Sequence, residues 1–166
     1  MNDQSLNNMQ NNVSIARGFI LNEVVLLESA VEMYLSLYFA QKGTREVFMH
    51  HFLSQIGFSK KLDIFRITIA KKKNTFTANN PSFSIDLGRL IKDRNAFAHE
   101  VINISDVSEV EYAANKTFSF INFKKPKAKA KRYSPKEIQE IIDLSRKYYN
   151  ELTDYNQKLY SSSSPL

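Results

Sequence analysis

The feature that most constrains the fold is a long segment without proline, residues 13–41, whose apolar side chains recur at helical spacing. Intervals of mostly three and four residues separate these positions, so they line one face of a single α-helix. Lys42 and Gly43 follow, and a cation before glycine is a typical helix end. The apolar face comprises Phe19, Val24, Leu27, Val31, Tyr34, Leu35 and Tyr38.

Start and stop signals divide the rest of the chain into further helices. The strongest is Ser134 as the N-cap, followed by Pro135 at the first helical position and Glu137 at the third. Residues 117–123 (TFSFINF) alternate apolar and polar side chains, which predicts a small β-ribbon or an extended segment. We therefore predict an all-α, antiparallel bundle of about five helices. The predicted helices cover about residues 13–41, 45–55, 60–73, 85–102 and 135–159.

The chain has 166 residues, the size of one domain. We predict a flexible leader over residues 1–12, a helical domain over 13–160 and a flexible tail over 161–166. The absence of cysteine excludes a disulfide scaffold, a thiol nucleophile and a Cys-ligated zinc site. No apolar run reaches the roughly 18 residues of a membrane span, and the N-terminus lacks a signal-peptide pattern. We therefore expect a cytoplasmic protein without a membrane partner.

The positive charge of the chain is concentrated in one segment, residues 124–132 (KKPKAKAKR). It holds six cations and no acid, and these six equal the whole net charge of +6. Such a segment attracts phosphate or an acidic surface, although runs of like charge are also found as solvated loops. The six candidate RNA-binding residues are Lys124, Lys125, Lys127, Lys129, Lys131 and Arg132.

The most informative residues lie near the end of the fourth predicted helix, in residues 92–100 (KDRNAFAHE). Projected at about 100° per residue from Ile91, Arg94 falls near −60°, within the apolar arc of the helix. Asn95 and His99 lie one turn apart at the edge of that arc. We therefore expect Arg94 to point into a buried seam beside an amide and an imidazole. The arc comprises Leu87, Ile91, Ala98, Val101 and Ile102.

A buried guanidinium without a partner costs several kcal/mol, so Arg94 needs a carboxylate, a facing subunit or a bound anion. Glu23 and Glu28 interrupt the apolar pattern of the first helix and are the candidate supporting acids. A purely structural ion pair with one of them is the alternative to a functional role. Three histidines without cysteine give no evident metal site.

Arg94, Asn95 and His99 resemble the R-N-x-x-x-H signature of the HEPN-domain family. The motif ends a helix of an all-α chain, a long helix with acidic residues precedes it, and residues 58–66 (FSKKLDIFR) are similar to the linking helix of bacterial HEPN-like proteins. The resemblance covers roughly residues 13–159. It implies a helical bundle that forms a homodimer, with the two motif helices facing each other to build one composite cleft.

Active members of that family are endoribonucleases that need no metal or cofactor and act as toxins, in phage defence or in RNA processing. The resemblance implies that His99 transfers protons and that Arg94 holds the phosphate, leaving 2′,3′-cyclic phosphate ends. Asn95 would orient the phosphate or the histidine, and Glu28 or Glu23 would position Arg94. RNA is then the expected partner, besides an antitoxin or a regulatory protein.

Two other functions are compatible with the same residues. The first is a non-catalytic HEPN-like module for dimerisation or for binding RNA or protein, since many family members lack activity. The second is a nucleic-acid binder that depends on residues 124–132, whose affinity would fall steeply with salt.

Overall fold

The computed structural model describes residues 3–71, 75–103, 105–122 and 130–162. These residues fall into two compact units, whose divisions lie within three long helices. The sheet unit comprises residues up to Val24 together with Arg89–Leu144, and the helical unit comprises Val25–Gly88 and residues from Ser145 onward.

The described residues form seven α-helices and three short strands, which confirms the predicted all-α fold with a small β segment. Five of the helices correspond to those predicted, and two are additional. The helices are α1 (Asp3–Phe39), α2 (Arg45–His51), α3 (Phe58–Ala70), α4 (Thr75–Asn79), α5 (Phe83–His99), α6 (Asp106–Asn115) and α7 (Pro135–Ser162).

The strands build one antiparallel sheet in the order β1 (Val101–Ile102), β2 (Phe118–Ile121) and β3 (Lys131–Tyr133). Its central strand, β2, lies within the predicted ribbon segment and pairs Ile102 with Phe120 on one side and Phe118 with Tyr133 on the other. The sheet follows directly after α5, so it places residues from three strands beside the last turn of that helix.

Among the differences from the sequence prediction, three have a clear physical cause. Helix α1 already begins at Asp3, and Met9 is buried, so the segment predicted as a leader continues the apolar face of α1. The short helix α4 lies where composition predicted a loop, because Phe76 is buried there. Helix α5 ends at His99 rather than Ile102, because Val101 and Ile102 pair with β2.

Each unit has its own aromatic core. In the sheet unit, Phe97 packs against Phe120 and Tyr133, with ring centroids 4.8 and 4.7 Å apart. The predicted capping box also forms there, since the Ser134 backbone amide and hydroxyl donate to the Glu137 carboxylate, each at 2.7 Å. The aromatic core of the helical unit contains Tyr34, Phe65, Phe76, Phe83, Tyr148 and Tyr155.

Two buried tyrosines of the helical unit predict a loss of stability in alkali. Burial raises the pKa of Tyr34 to about 12, and burial together with a hydrogen bond to Asp86 raises the pKa of Tyr148 to about 12. Unfolded tyrosine titrates near pH 10, so this contribution is complete below pH 10 and lost as the pH rises towards 12. Denaturant titrations at stepwise pH should show the free energy of unfolding falling over that range.

Matched variants test whether the buried tyrosines cause this fall. Tyr148→Phe should flatten part of the decline, because phenylalanine has no proton to lose. Tyr160→Phe should leave the profile as in the wild type, because Tyr160 is exposed. Equal profiles for all three proteins would show that other groups govern the alkaline transition.

Candidate functional site

A cleft of about 740 Å³ lies in the sheet unit, where the last turns of α5 meet the sheet. Two cations, one anion, one imidazole and two amides line it beside a few apolar side chains. Helix α5 contributes three of these polar groups, and a fourth belongs to the residue that follows the helix directly. The other two come from β3 and from the residue after β2. The polar residues are Lys92, Asn95, His99, Glu100, Asn122 and Lys131.

The structure places Asn95 and His99 together in this cleft, as their spacing predicts. Both side chains are exposed and lie one turn apart. The opposite face of α5 is buried through Leu90 and Phe97, which turns Asn95 and His99 towards solvent. Among the residues that the structure describes, none forms a hydrogen bond with the His99 ring.

Arg94 does not lie in the buried seam that the helical projection predicts. Its side chain is half-buried, and its Nη1 donates to Oδ1 of the adjacent Asn95 at 3.1 Å. The projection is wrong because its arc was not the buried face of α5. Ile91 and Ala98 are half-buried and Val101 and Ile102 belong to β1, whereas Leu90 and Phe97 are buried. Arg94 therefore lies at the rim, beside a residue of the cleft, but does not itself line it.

The two candidate supporting acids have different surroundings. Glu28 lies in the helical unit, where its Oε1 accepts from Nζ of Lys61 at 2.6 Å. The structure thus pairs Glu28 with a lysine that the sequence analysis did not single out, and its role towards Arg94 stays a prediction. Glu23 is buried on α1 within the sheet unit. Its role towards Arg94 stays a prediction.

The buried charged residue of α5 is Asp93, which directly precedes Arg94, the residue predicted to be buried. Its Oδ1 accepts from Nζ of Lys131 at 2.6 Å and from the Tyr133 hydroxyl at 2.9 Å. Burial and the Asp93 carboxylate raise the pKa of Tyr133 far above its usual range, so the phenol stays a donor. This network fixes β3 against α5 and holds Lys131 at the cleft.

The predicted basic segment is only partly described. Lys124, Lys125, Lys127 and Lys129 lie outside the described residues. The other two cations each contact an acid, since Lys131 binds Asp93 and Nε of Arg132 lies 3.1 Å from the Glu111 carboxylate. Lys92, which was not assigned to RNA binding, adds a second cation to the cleft.

Arg17 binds the C-terminal end of α5, next to the cleft. Its Nη2 donates to the backbone carbonyl of Glu100 at 2.6 Å, and its guanidinium lies 5.3 Å from the centre of the Phe120 ring. A cation at a helix C-terminus satisfies a carbonyl that has no partner within the helix. Burial lowers the pKa of Arg17. The Glu100 carboxylate in turn accepts from Nδ2 of Asn122 at 3.3 Å.

The sequence contained a signal for one of the missed cleft residues. Lys92 precedes Asn95 and His99 by three and seven residues, so helical spacing alone puts all three on one face. Asn122 and Lys131 reach the cleft through strand pairing, which no local spacing reveals. The combined site offers cations, amides and an imidazole at one surface, a set that can bind a phosphate and transfer a proton.

Comparison of the chain with protein-family models, with curated proteins and with solved structures found no match. None of the described helices is long and apolar enough to cross a membrane. Within the described ranges, no group of three or more His, Cys, Asp or Glu side chains could hold a metal ion.

Proposed function

We propose that this protein is a metal-independent endoribonuclease of the HEPN type. The observation that carries the proposal is the exposed His99 in a cleft that also holds Asn95, Lys92 and Lys131. The cleft combines a histidine, which can transfer protons, with two lysines, which can bind phosphate. The resemblance of Arg94, Asn95 and His99 to the family motif supports the same reaction.

The proposed reaction is attack by a ribose 2′-hydroxyl on the neighbouring phosphate. A bond forms between O2′ and phosphorus, the bond between phosphorus and O5′ breaks, and the nucleophile loses its proton. His99 accepts that proton, and a proton from water or from His99 completes the leaving 5′-hydroxyl. The products are a 2′,3′-cyclic phosphate and a 5′-hydroxyl end.

The remaining cleft residues bind the phosphate in this proposal. Lys131 uses one of its three donor hydrogens for Asp93, which leaves the others for a phosphate oxygen. Lys92 adds a cation one turn before Asn95. Charge that develops on the phosphate oxygens during attack is stabilised by these groups and by the Asn95 amide.

In this proposal, Arg94 acts across the interface of a homodimer whose active site is built from both copies. Its side chain lies at the rim and does not line the cleft of its own chain, so a second copy facing this rim would receive it. Arg94 would then contact the phosphate bound by the other copy. A mixture of Arg94→Ala and His99→Ala proteins should recover activity, since mixed dimers hold one intact site.

The experiment that tests the proposal is incubation of the purified protein with a mixed RNA in EDTA, followed by analysis of the fragment ends. We expect cleavage that leaves 2′,3′-cyclic phosphates. A 2′-O-methyl RNA of the same sequence should remain intact, because it lacks the nucleophile. If the protein binds RNA but does not cleave it, at low and at high protein concentration alike, the result would instead favour the non-catalytic module.

A further inference from the structure

The cleft has a second wall that the proposed cleavage does not use. Glu100 follows His99 directly, and its carboxylate lies beside the Asn122 amide, on the side of the cleft formed by the sheet. A carboxylate in a site for a polyanion repels the phosphates, so binding of the backbone does not explain it. A ligand group that donates hydrogen bonds, in contrast, would be attracted to this carboxylate.

We propose that Glu100 determines base specificity by binding the Watson–Crick edge of a guanine next to the cleaved phosphate. This inference rests on the proposed ribonuclease function. Guanine presents two adjacent N–H donors, N1–H and the N2 amino group, which match the two oxygens of one carboxylate. Adenine, cytosine and uracil each present only one donor group on that edge, so a carboxylate selects guanine.

The geometry around Glu100 is fixed in advance, as a specificity contact requires. Arg17 holds the backbone carbonyl of Glu100 at 2.6 Å, and the Glu100 amide donates to Ala96 at 3.0 Å, so the residue continues α5 by one position. Asn122 binds Oε1 at 3.3 Å and orients the carboxylate. A carboxylate accepts about four hydrogen bonds, so it retains capacity for a base.

Glu100 directly follows His99, and both residues line the cleft. In this proposal, a base bound by Glu100 places its own ribose phosphate near the imidazole. Single-stranded RNA is read in this way, through the exposed edge of an unstacked base. Lys92 and Lys131 also line the cleft and supply the cations that would bind the phosphates.

The test measures binding separately from cleavage. Labelled 2′-O-methyl oligouridylates that contain one guanine, one inosine or one adenine are titrated with the protein, and anisotropy gives the affinity. We expect the wild type to bind the guanine oligonucleotide about tenfold more tightly than the adenine one, within the range of one bidentate contact. Inosine lacks the N2 amino group and should fall between them.

Two variants separate base recognition from charge. Glu100→Gln should lose the preference for guanine, because the Gln amide presents a donor where guanine also donates. Glu46→Gln removes the same charge from an exposed position on α2 and should keep the preference. Melting curves of both variants establish that they are folded.

The outcomes distinguish this inference from the proposed function. Equal affinity for guanine and adenine, a preference retained in Glu100→Gln, or no binding to any oligonucleotide would overturn the inference. Cleavage of ordinary RNA without a guanine preference would support the proposed ribonuclease function and contradict the proposed role of Glu100. A guanine preference that depends on Glu100, with no cleavage of ordinary RNA, would support base recognition and contradict the ribonuclease.

Discussion

Replacing His99 with alanine is expected to lower the rate of RNA cleavage by about 10²–10⁴-fold, the usual contribution of a general acid or base. The alanine side chain cannot accept the 2′-hydroxyl proton, whereas the cations that bind the phosphate remain. The rate is measured under single-turnover conditions with excess protein, so that weaker binding is not mistaken for slower chemistry.

The fold should not change in this variant. The His99 side chain is exposed and bonds no described residue, and substitutions at such positions usually change the stability by less than about 0.5 kcal/mol. His50→Ala is the matched control, because His50 is exposed on α2 in the helical unit. A rate for His99→Ala within threefold of the His50→Ala rate would show that the imidazole takes no part in the chemistry.

Local sequence signals predicted most of the helices of this fold. Ser134 and Glu137 are three residues apart, and their capping box forms as expected, because capping depends only on neighbours in the chain. The strand alternation at residues 117–123 also predicted β2. In contrast, composition placed a loop where Phe76 anchors α4, since burial of one aromatic side chain outweighs local propensity.

The candidate site was predictable only where it depends on one helix. Asn95 and His99 follow from helical spacing, whereas the pairing of Asp93 with Lys131 joins residues that are 38 positions apart. Periodicity cannot reveal such a pairing. The same limit explains the error at Arg94, because tertiary packing buries Leu90 and Phe97 and leaves Ile91 and Ala98 of the predicted arc half-buried. Glu100 and Asn122 likewise meet only through the sheet.

Replacing Lys61 with alanine is expected to lower the free energy of unfolding by about 3 kcal/mol, roughly 6–12 °C in Tm for a chain of this size. The Lys61 side chain is 5% exposed, and its ammonium binds Glu28 at 2.6 Å and also Glu32. Burial alone would lower the pKa of Lys61, but the hydrogen bonds and charges of the two glutamates raise it. The lysine is therefore held charged between two acids.

The loss of stability arises from the two carboxylates that the substitution leaves without their cation. Glu28 and Glu32 are one turn apart on α1, so without the ammonium they are two like charges that face each other at a largely buried position. Both carboxylates keep a side-chain exposure of 21%, which limits the loss to the lower end of the range for broken buried pairs. Thermal melting and denaturant titration at neutral pH measure the effect.

Two comparisons show whether the charge arrangement causes the loss. Lys60→Ala removes the same side chain from the adjacent, exposed position of α3 and should change the free energy of unfolding by less than about 0.5 kcal/mol. Adding Glu28→Gln and Glu32→Gln to Lys61→Ala should restore part of the stability, because it removes the repulsion between the acids. Equal losses for Lys60→Ala and Lys61→Ala would contradict the prediction. A large loss in Lys61→Ala without recovery in the triple variant would show that Lys61 acts through packing of its methylene groups instead.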